Sequence, residues 1–350
     1  MATEATPLEA AFEKLNTHIK NQHHKKALKA CDEILALAPG DEDALRCKVV
    51  AHMQLSEFQP ALALLNKPPL AGQELAFEKA YCLYRLGRLD EASSAASARL
   101  AAPDLEPEAA SSLLQLAAQL DYRRGRTRDC INTYQTLVQQ YKAGSLELKT
   151  NVLAAYVAAG LAAELPDLMA ALGVRSKDGF EAAYNAACGL VEAGQLAAAE
   201  YELRQALKMG RETLFGEDLA EEEVEDELAP LSGQLAHVLG RLGRAGEANE
   251  IYDKIIRGSA PVSDETVRAL AHNNAIADAP HRLEPGPQNR KYIASATKRL
   301  EALVERPGGG GAAAAAAAAG ADDGGASGVG TLAAVQVVQR QAPGAQPSNV

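Results

Sequence analysis

The feature that most constrains this chain is a turn that it spells repeatedly. "YCLYRLGRLDEA" from Tyr81 is echoed by "LGRLGRAGEA" from Leu239 and, more loosely, by "CGLVEAGQLAAA" from Cys188. The turn glycines Gly87, Gly125, Gly160, Gly194 and Gly243 stand 38, 35, 34 and 49 residues apart. Five positions after each come Ala92, Cys130, Leu165, Ala199 and Ala248, and seven before each come Ala80, Ala118, Leu153, Ala187 and Ala236. Towards the N-terminus the glycine is lost while the alanine persists as Ala27 and Ala61, 34 apart. A glycine lets the backbone turn through a left-handed conformation between antiparallel helices. Small residues on either side let those helices touch. A hairpin of this kind cannot bury its apolar face alone, so the units must stack.

A period near 34 with two helices per unit is the tetratricopeptide pattern. The expected fold is all-α, a right-handed superhelical solenoid of such hairpins with a disordered C-terminal tail. Seven units begin near Leu8, Glu42, Gln73, Ser111, Leu146, Phe180 and Ala229, so the array covers 8–258. Pro39 ends the second helix and Asp41 is placed to cap the third. Leu165, bulky and followed by Pro166, should distort the fifth unit. An acidic insertion occupies 211–228, with eight acids from Glu217 to Glu227; it reads as a solvated loop, or as a contact for a basic partner. A further helix pair is expected within 259–306, the first capped by Ser263 or Asp264. From Pro307 to Val350 glycine, alanine, proline and serine dominate, which predicts a low-complexity disordered tail.

Composition narrows function. Hydrophobic residues make up 47% of the chain but aromatic ones only 4%, and tryptophan is absent; alanine and leucine supply the core and favour helices. A net charge of −11 repels phosphate backbones over the surface as a whole, leaving nucleic acid only a local basic patch. The five cysteines form no CxxC pair and read as reduced thiols in a cytosolic core. The N-terminus lacks a signal peptide's basic and apolar regions, and no apolar run approaches the roughly 18 residues of a membrane helix. No HExxH, GxSxG or phosphate-loop lysine motif occurs, and "GASGVGT" from Gly325 lacks the lysine and the strand. His23 and His24 sit at a turn among Lys20, Lys25 and Lys26, a setting unsuited to a metal. Enzymatic chemistry, a cofactor, a metal and a small-molecule ligand are therefore not expected.

What a stack of hairpins offers is a concave surface lined by first helices, suited to a peptide or helix. The inward-facing candidates are Arg46, Met53, Phe77, Tyr81, Tyr84, Arg85, Gln119, Tyr122, Arg123, Asn151, Tyr184 and Asn185. Aromatic and arginine side chains are typical anchors for partners. The competing assignment is that Phe77, Tyr81 and Tyr84 fill the seam between units; the grouping of Tyr81–Arg85 with Tyr122–Arg123 favours a groove.

Four stretches carry more than the generic repeat: "FEKLNTHIKNQHHKKALKACDEIL", "ELAFEKAYCLYRLGRLDEA", "YNAACGLVEAGQLAAAEYELRQAL", and "HNNAI" after the acidic insertion. Together they resemble the 72-kilodalton tetratricopeptide subunit of the eukaryotic signal recognition particle, over roughly Leu8 to Ala279. The resemblance implies a non-catalytic scaffold whose repeats grip the 68-kilodalton partner subunit, in a cytoplasmic particle that targets secretory proteins co-translationally to the endoplasmic reticulum. It also implies assembly on the particle RNA. The family's basic RNA-binding region lies far downstream of the repeats, and here no lysine and only Arg340 follow Pro307. RNA contact is thus expected indirectly or through a region missing here. The alternative is a co-chaperone adaptor reading acidic C-terminal peptides, with Asn151 and Asn185 as the amides of its clamp.

Overall fold

The computed structural model describes residues 6–71, 75–141, 144–258, 262–278 and 287–304. Among them there are seventeen α-helices and no strand. The tail expected from Pro307 lies outside the described residues. The chain divides into two compact units, one ending at Leu120 and the other beginning at Asp121.

In the first unit the helices are α1 (Pro7–Lys20), α2 (His24–Leu37), α3 (Glu42–Gln54), α4 (Phe58–Leu65), α5 (Ala76–Arg85) and α6 (Leu89–Leu100). Thr6 opens α1 with a capping box, its Oγ1 accepting from the Glu9 N–H while Glu9 accepts from the Thr6 N–H at 2.6 Å. Asp41 caps α3 as its position suggested, accepting from the Ala44 N–H at 2.8 Å. Ala11, Leu15, Ala27, Cys31 and Ile34 form one core. Phe58, Leu62, Ala80, Tyr81, Tyr84 and Ala92 belong to a second that α5 dominates. Helix α7 (Pro107–Arg123) carries the chain into the second unit.

The second unit continues with α8 (Thr127–Gln139), α9 (Leu146–Ala158), α10 (Leu165–Leu172), α11 (Phe180–Glu192) and α12 (Leu196–Gly216). After these come α13 (Glu221–Glu227), α14 (Ala229–Arg241), α15 (Ala245–Arg257), α16 (Glu265–Asp278) and α17 (Pro287–Val304). Helix α16 packs on α14 and α15, and α17 on α16. Asp264, rather than Ser263, caps α16, accepting from Thr266 N at 2.7 Å and Val267 N at 3.3 Å.

The repeated turn has one geometry. The five glycines take φ between +71° and +80°. The next residue's N–H then reaches five positions back, as Arg88 to the Leu83 carbonyl at 2.9 Å and Arg244 to the Leu239 carbonyl at 2.9 Å. That bond satisfies a carbonyl the helix end would leave open. The first two hairpins lack the glycine but keep the conformation. Gln22 has φ +54° and Ser56 φ +59°, with His23 bonded to His18 and Glu57 to His52, both at 2.8 Å. The motif's carbonyl closure and the packing of the two helices hold an ordinary residue where glycine would cost less.

The small residues occupy the crossings. Ala80, Ala92, Ala118, Ala187, Ala199, Ala236 and Ala248 are wholly buried, as are Cys130 and Leu153. The exception at Leu165 does distort its hairpin: a 3-10 turn, Ala162–Glu164, precedes α10, which is only 8 residues long. The compensation lies on α11. A Cβ placed on Gly189 would stand 2.5 Å from Leu165 Cδ1, so the bulk missing from Gly189 is supplied by Leu165.

The acidic insertion is not a loop. Helix α12 runs on to Gly216 and α13 follows after four residues, anchored by buried Val224 and Leu228 while Glu221, Glu222, Glu223, Glu225 and Glu227 stay exposed. Two apolar residues four apart, Val224 and Leu228, suffice to fold the acids onto the array as an amphipathic turn.

Candidate partner-binding surface

Register within the repeat sorts the candidates. Three positions before the left-handed residue stand Met53, Tyr84 and Tyr122, and all three are buried. Two positions before it stand Arg85 and Arg123, both exposed. A helix turns 100° per residue, so neighbours in sequence fall on different faces. The tyrosine therefore enters the packing while the arginine beside it meets solvent.

In the first unit the exposed and half-buried candidates gather on α3 and α5. Arg85 is held in place from two sides. Its Nη1 donates to Tyr81 Oη at 2.8 Å, and its guanidinium lies 4.3 Å from the centre of the Phe58 ring. Phe77 stacks on Tyr81 with ring centres 6.1 Å apart and planes 11° apart, and Phe58 meets Tyr81 edge-on at 6.0 Å. The result is a layered aromatic floor, Phe58–Tyr81–Phe77, with a fixed guanidinium on its rim. Phe58, the first residue of α4, escaped sequence-level attention; its signal was its place two residues after the left-handed Ser56, where Leu89 and Leu196 are also apolar. Arg46, half-buried on α3, faces Glu78 of α5. Burial pushes the Glu78 carboxyl above its ordinary pKa, an upward shift its own backbone bond and then the Arg46 charge reduce. Gln119, on the part of α7 in this unit, is buried.

In the second unit every candidate except Arg123 turns inward. Tyr184 is fully buried, and Tyr122 packs near Cys130 and Cys188. Burial pushes the Tyr184 and Tyr122 hydroxyls well above their ordinary pKa and the Cys188 thiol to about 12. Asn151 and Asn185 are also buried, and Asn185 Nδ2 donates to the Thr150 carbonyl at 3.3 Å, tying α11 to α9. An amide so placed joins first helices to each other and is not displayed to a peptide, which removes the proposed clamp. Four of the twelve candidates, Arg46, Phe77, Arg85 and Arg123, keep solvent contact.

The buried thiols of Cys31, Cys82, Cys130 and Cys188, each raised to about 12 by burial, are protonated at neutral pH. Among the described residues no three potential ligands converge as a metal site would require.

Sequence comparison gives this array a relative. The signal recognition particle subunit SRP72 of Canis lupus familiaris is 34% identical over 272 residues, 76% of this chain. The resemblance is to SRP72. The human subunit matches equally well, at 34% over 272 residues, and that of Dictyostelium discoideum is 29% identical over 271 residues. The chain spans 39% of the length of each of these SRP72 relatives. No family model matches it. Among solved structures, a Rap protein complexed with competence and sporulation factor superposes with a TM-score of 0.56 at 16% identity, covering 85% of this chain and 87% of that one. That likeness establishes the fold alone: tetratricopeptide-type helical repeats.

Proposed function

We propose that this chain is a non-catalytic scaffold subunit of a signal recognition particle, and that its first unit holds a segment of the 68-kilodalton partner subunit. The observation that carries the proposal is the 34% identity to SRP72 sustained across 272 residues of helical array. The binding surface is the layered face of α3, α4 and α5, with Phe77 as the apolar contact and Arg46 and Arg85 as its charged rim. Arg123 on α7 is the corresponding contact of the second unit. Contact with the particle RNA is made through the partner or through residues outside the array. The particle works in the cytoplasm and meets the endoplasmic reticulum membrane from outside; among the described residues no helix is long and apolar enough to cross a membrane.

The experiment is copurification of the tagged chain from cell extract. The 68-kilodalton subunit and particle RNA should come with it, and recovery of neither would sink the proposal. Phe77→Ala with Arg85→Ala should weaken capture of the partner about tenfold or more, the scale on which interface anchors act. Intact binding per folded molecule would assign both residues to packing instead.

A further inference from the structure

The interval from Gly194 to Gly243 is 49 residues, against 34 from Gly160 to Gly194. The repeat has no need of the surplus, and α13 is what it builds. Six of the seven residues of α13 are acidic, and only Val224 among them is apolar. Helices α12, α13, α14 and α15 all contribute to the walls of a trough of about 650 Å³. A more open hollow of about 420 Å³ shares Arg204, Leu207, Arg211 and Leu235 with it and continues along α12 past Lys208 and Glu212. None of the candidates for the partner-binding surface lines either hollow.

The trough has an apolar floor. Leu235, Ile255 and Val262 contribute buried side chains to it. Leu207 of α12 and Ile251 of α15 are only half-buried, and keep apolar surface in water that a partner would remove. The charges around that floor are unequal. Arg204 is taken up by Glu200 at 2.8 Å and Arg211 by Glu225 at 2.7 Å. Asp226 accepts from the Ser263 N–H at 2.7 Å. Among the described residues Glu221 and Glu222 enter no ion pair, and Lys254 is the one cation of the lining in the same state. Three carboxylates, of Glu221, Glu222 and Asp226, thus stand against one uncommitted cation.

These features select the occupant. Two adjoining hollows along one helix suit a rod better than a compact molecule. The walls are helices, whose backbone groups are bonded within themselves. An extended peptide would gain no backbone bonds there, whereas a helix brings its own. The apolar floor calls for an apolar stripe, and the surplus of carboxylates for a basic flank. After Pro307 the chain itself has no lysine, one arginine and two aspartates, so it does not supply such a helix there. We propose that the trough between α12, α13 and α15 docks an amphipathic helix of a partner protein. Its apolar stripe lies on Leu207 and Ile251, and its lysine or arginine flank meets Glu221 and Glu222. The proposal does not depend on the surface formed by α3, α4 and α5.

The test is fluorescence anisotropy of the full chain with a labelled peptide of about two heptads, leucine at the a and d positions and lysine elsewhere. The peptide should bind, and should gain helix by circular dichroism as it does. Glu221→Gln with Glu222→Gln should weaken binding about fivefold or more at about 50 mM salt, and the difference should shrink as salt rises. Both glutamates are exposed, so the thermal midpoint of this variant should hardly move. Leu207→Ser should weaken binding about tenfold. Glu13→Gln with Glu164→Gln makes the same change in net charge on exposed sites elsewhere, and should leave binding within about twofold. A peptide with serine in place of leucine should not bind. Failure of the leucine–lysine peptide to bind would overturn the proposal. Equal losses in the two glutamine variants, or equal binding of the serine peptide, would do so too, since net charge alone would then explain capture. Light scattering that finds dimers of the chain, dissociated by Glu221→Gln with Glu222→Gln, would give the trough to a second copy and overturn it as well.

Discussion

The first helices of the two units bury themselves differently. Helix α3 buries four of its thirteen residues, while α9, of the same length, buries nine. The residue nine positions before the left-handed turn differs between the units. In the first unit it is Glu13 in α1, Cys47 in α3 and Glu78 in α5; in the second it is Asn151 in α9, Asn185 in α11 and Gln234 in α14. A neutral amide costs less to enclose than a charge: Asn185 finds the Thr150 carbonyl, while Gln234 is buried with neither side-chain polar atom hydrogen-bonded. A carboxylate resists enclosure, so the helices that carry it keep a wet face. The amide register of α9, α11 and α14 goes with a closed stack, whereas α5, with Glu78 there, displays Arg85 and Phe77; α3 has Cys47 at that position, so its open face has another cause.

Phe77 and Tyr184 test this contrast most directly, since both stand ten positions before their turn glycine. Tyr184→Ala should cost about 3–5 kcal/mol in urea denaturation, as large aromatic truncations in cores do. Phe77→Ala, starting from a half-buried ring, should cost about half that. Equal losses would break the distinction between the units.

Proton linkage should run in opposite senses. Burial, aided by the Arg241 charge, pushes His237 of α14 down to about 4, so it stays neutral in the fold. Unfolded, it takes up a proton near its ordinary 6.5, so stability falls as pH drops from about 6.5 towards 4, by as much as ~3 kcal/mol. His237→Gln should flatten that loss in urea midpoints measured across the window. Glu78 has a raised pKa, so its contribution is full below the pKa of the unfolded chain and is lost as pH rises through the folded value. Glu78→Gln should therefore stabilise the protein at neutral pH, and the gain should vanish in acid. A gain that persists in acid would locate the effect in packing.

The helix crossing is common to both units, and Ala92→Leu and Ala199→Leu should each cost about 1–3 kcal/mol by overpacking. An unchanged thermal midpoint in either would move the crossing elsewhere in that hairpin. The smallest effect belongs to the turns. Gln22→Gly and Ser56→Gly should each stabilise by about 1 kcal/mol, relieving a left-handed conformation that a side chain disfavours. Gly194→Ala should cost about the same, because a Cβ there meets nothing within 4 Å and the penalty is conformational alone. Calorimetric midpoints moving the other way would show that context outweighs the intrinsic preference.

The repeat was legible because its positions answer to local rules. Turn glycines, crossing alanines and the Asp41 cap each do one task set by nearest neighbours. The acidic segment was harder, since eight acids outweigh two apolar residues in any compositional view. Only the surface α13 lands on tells Val224 and Leu228 that they are core. The bulk of Leu165 looked like a fault because its complement, Gly189, lies 24 residues away on another helix. Among the site candidates, Arg85 and Arg123 point outwards as their residue type suggests. Met53, Tyr84 and Tyr122 look the same in sequence as groove anchors, and face inwards.

From the amino-acid order alone come the helical hairpins, their period and their crossings, because φ preferences and side-chain volumes act over a handful of residues. Which polar and aromatic groups remain in water is decided only when one hairpin lies against the next. Burial is a property of two surfaces, and no single helix contains both.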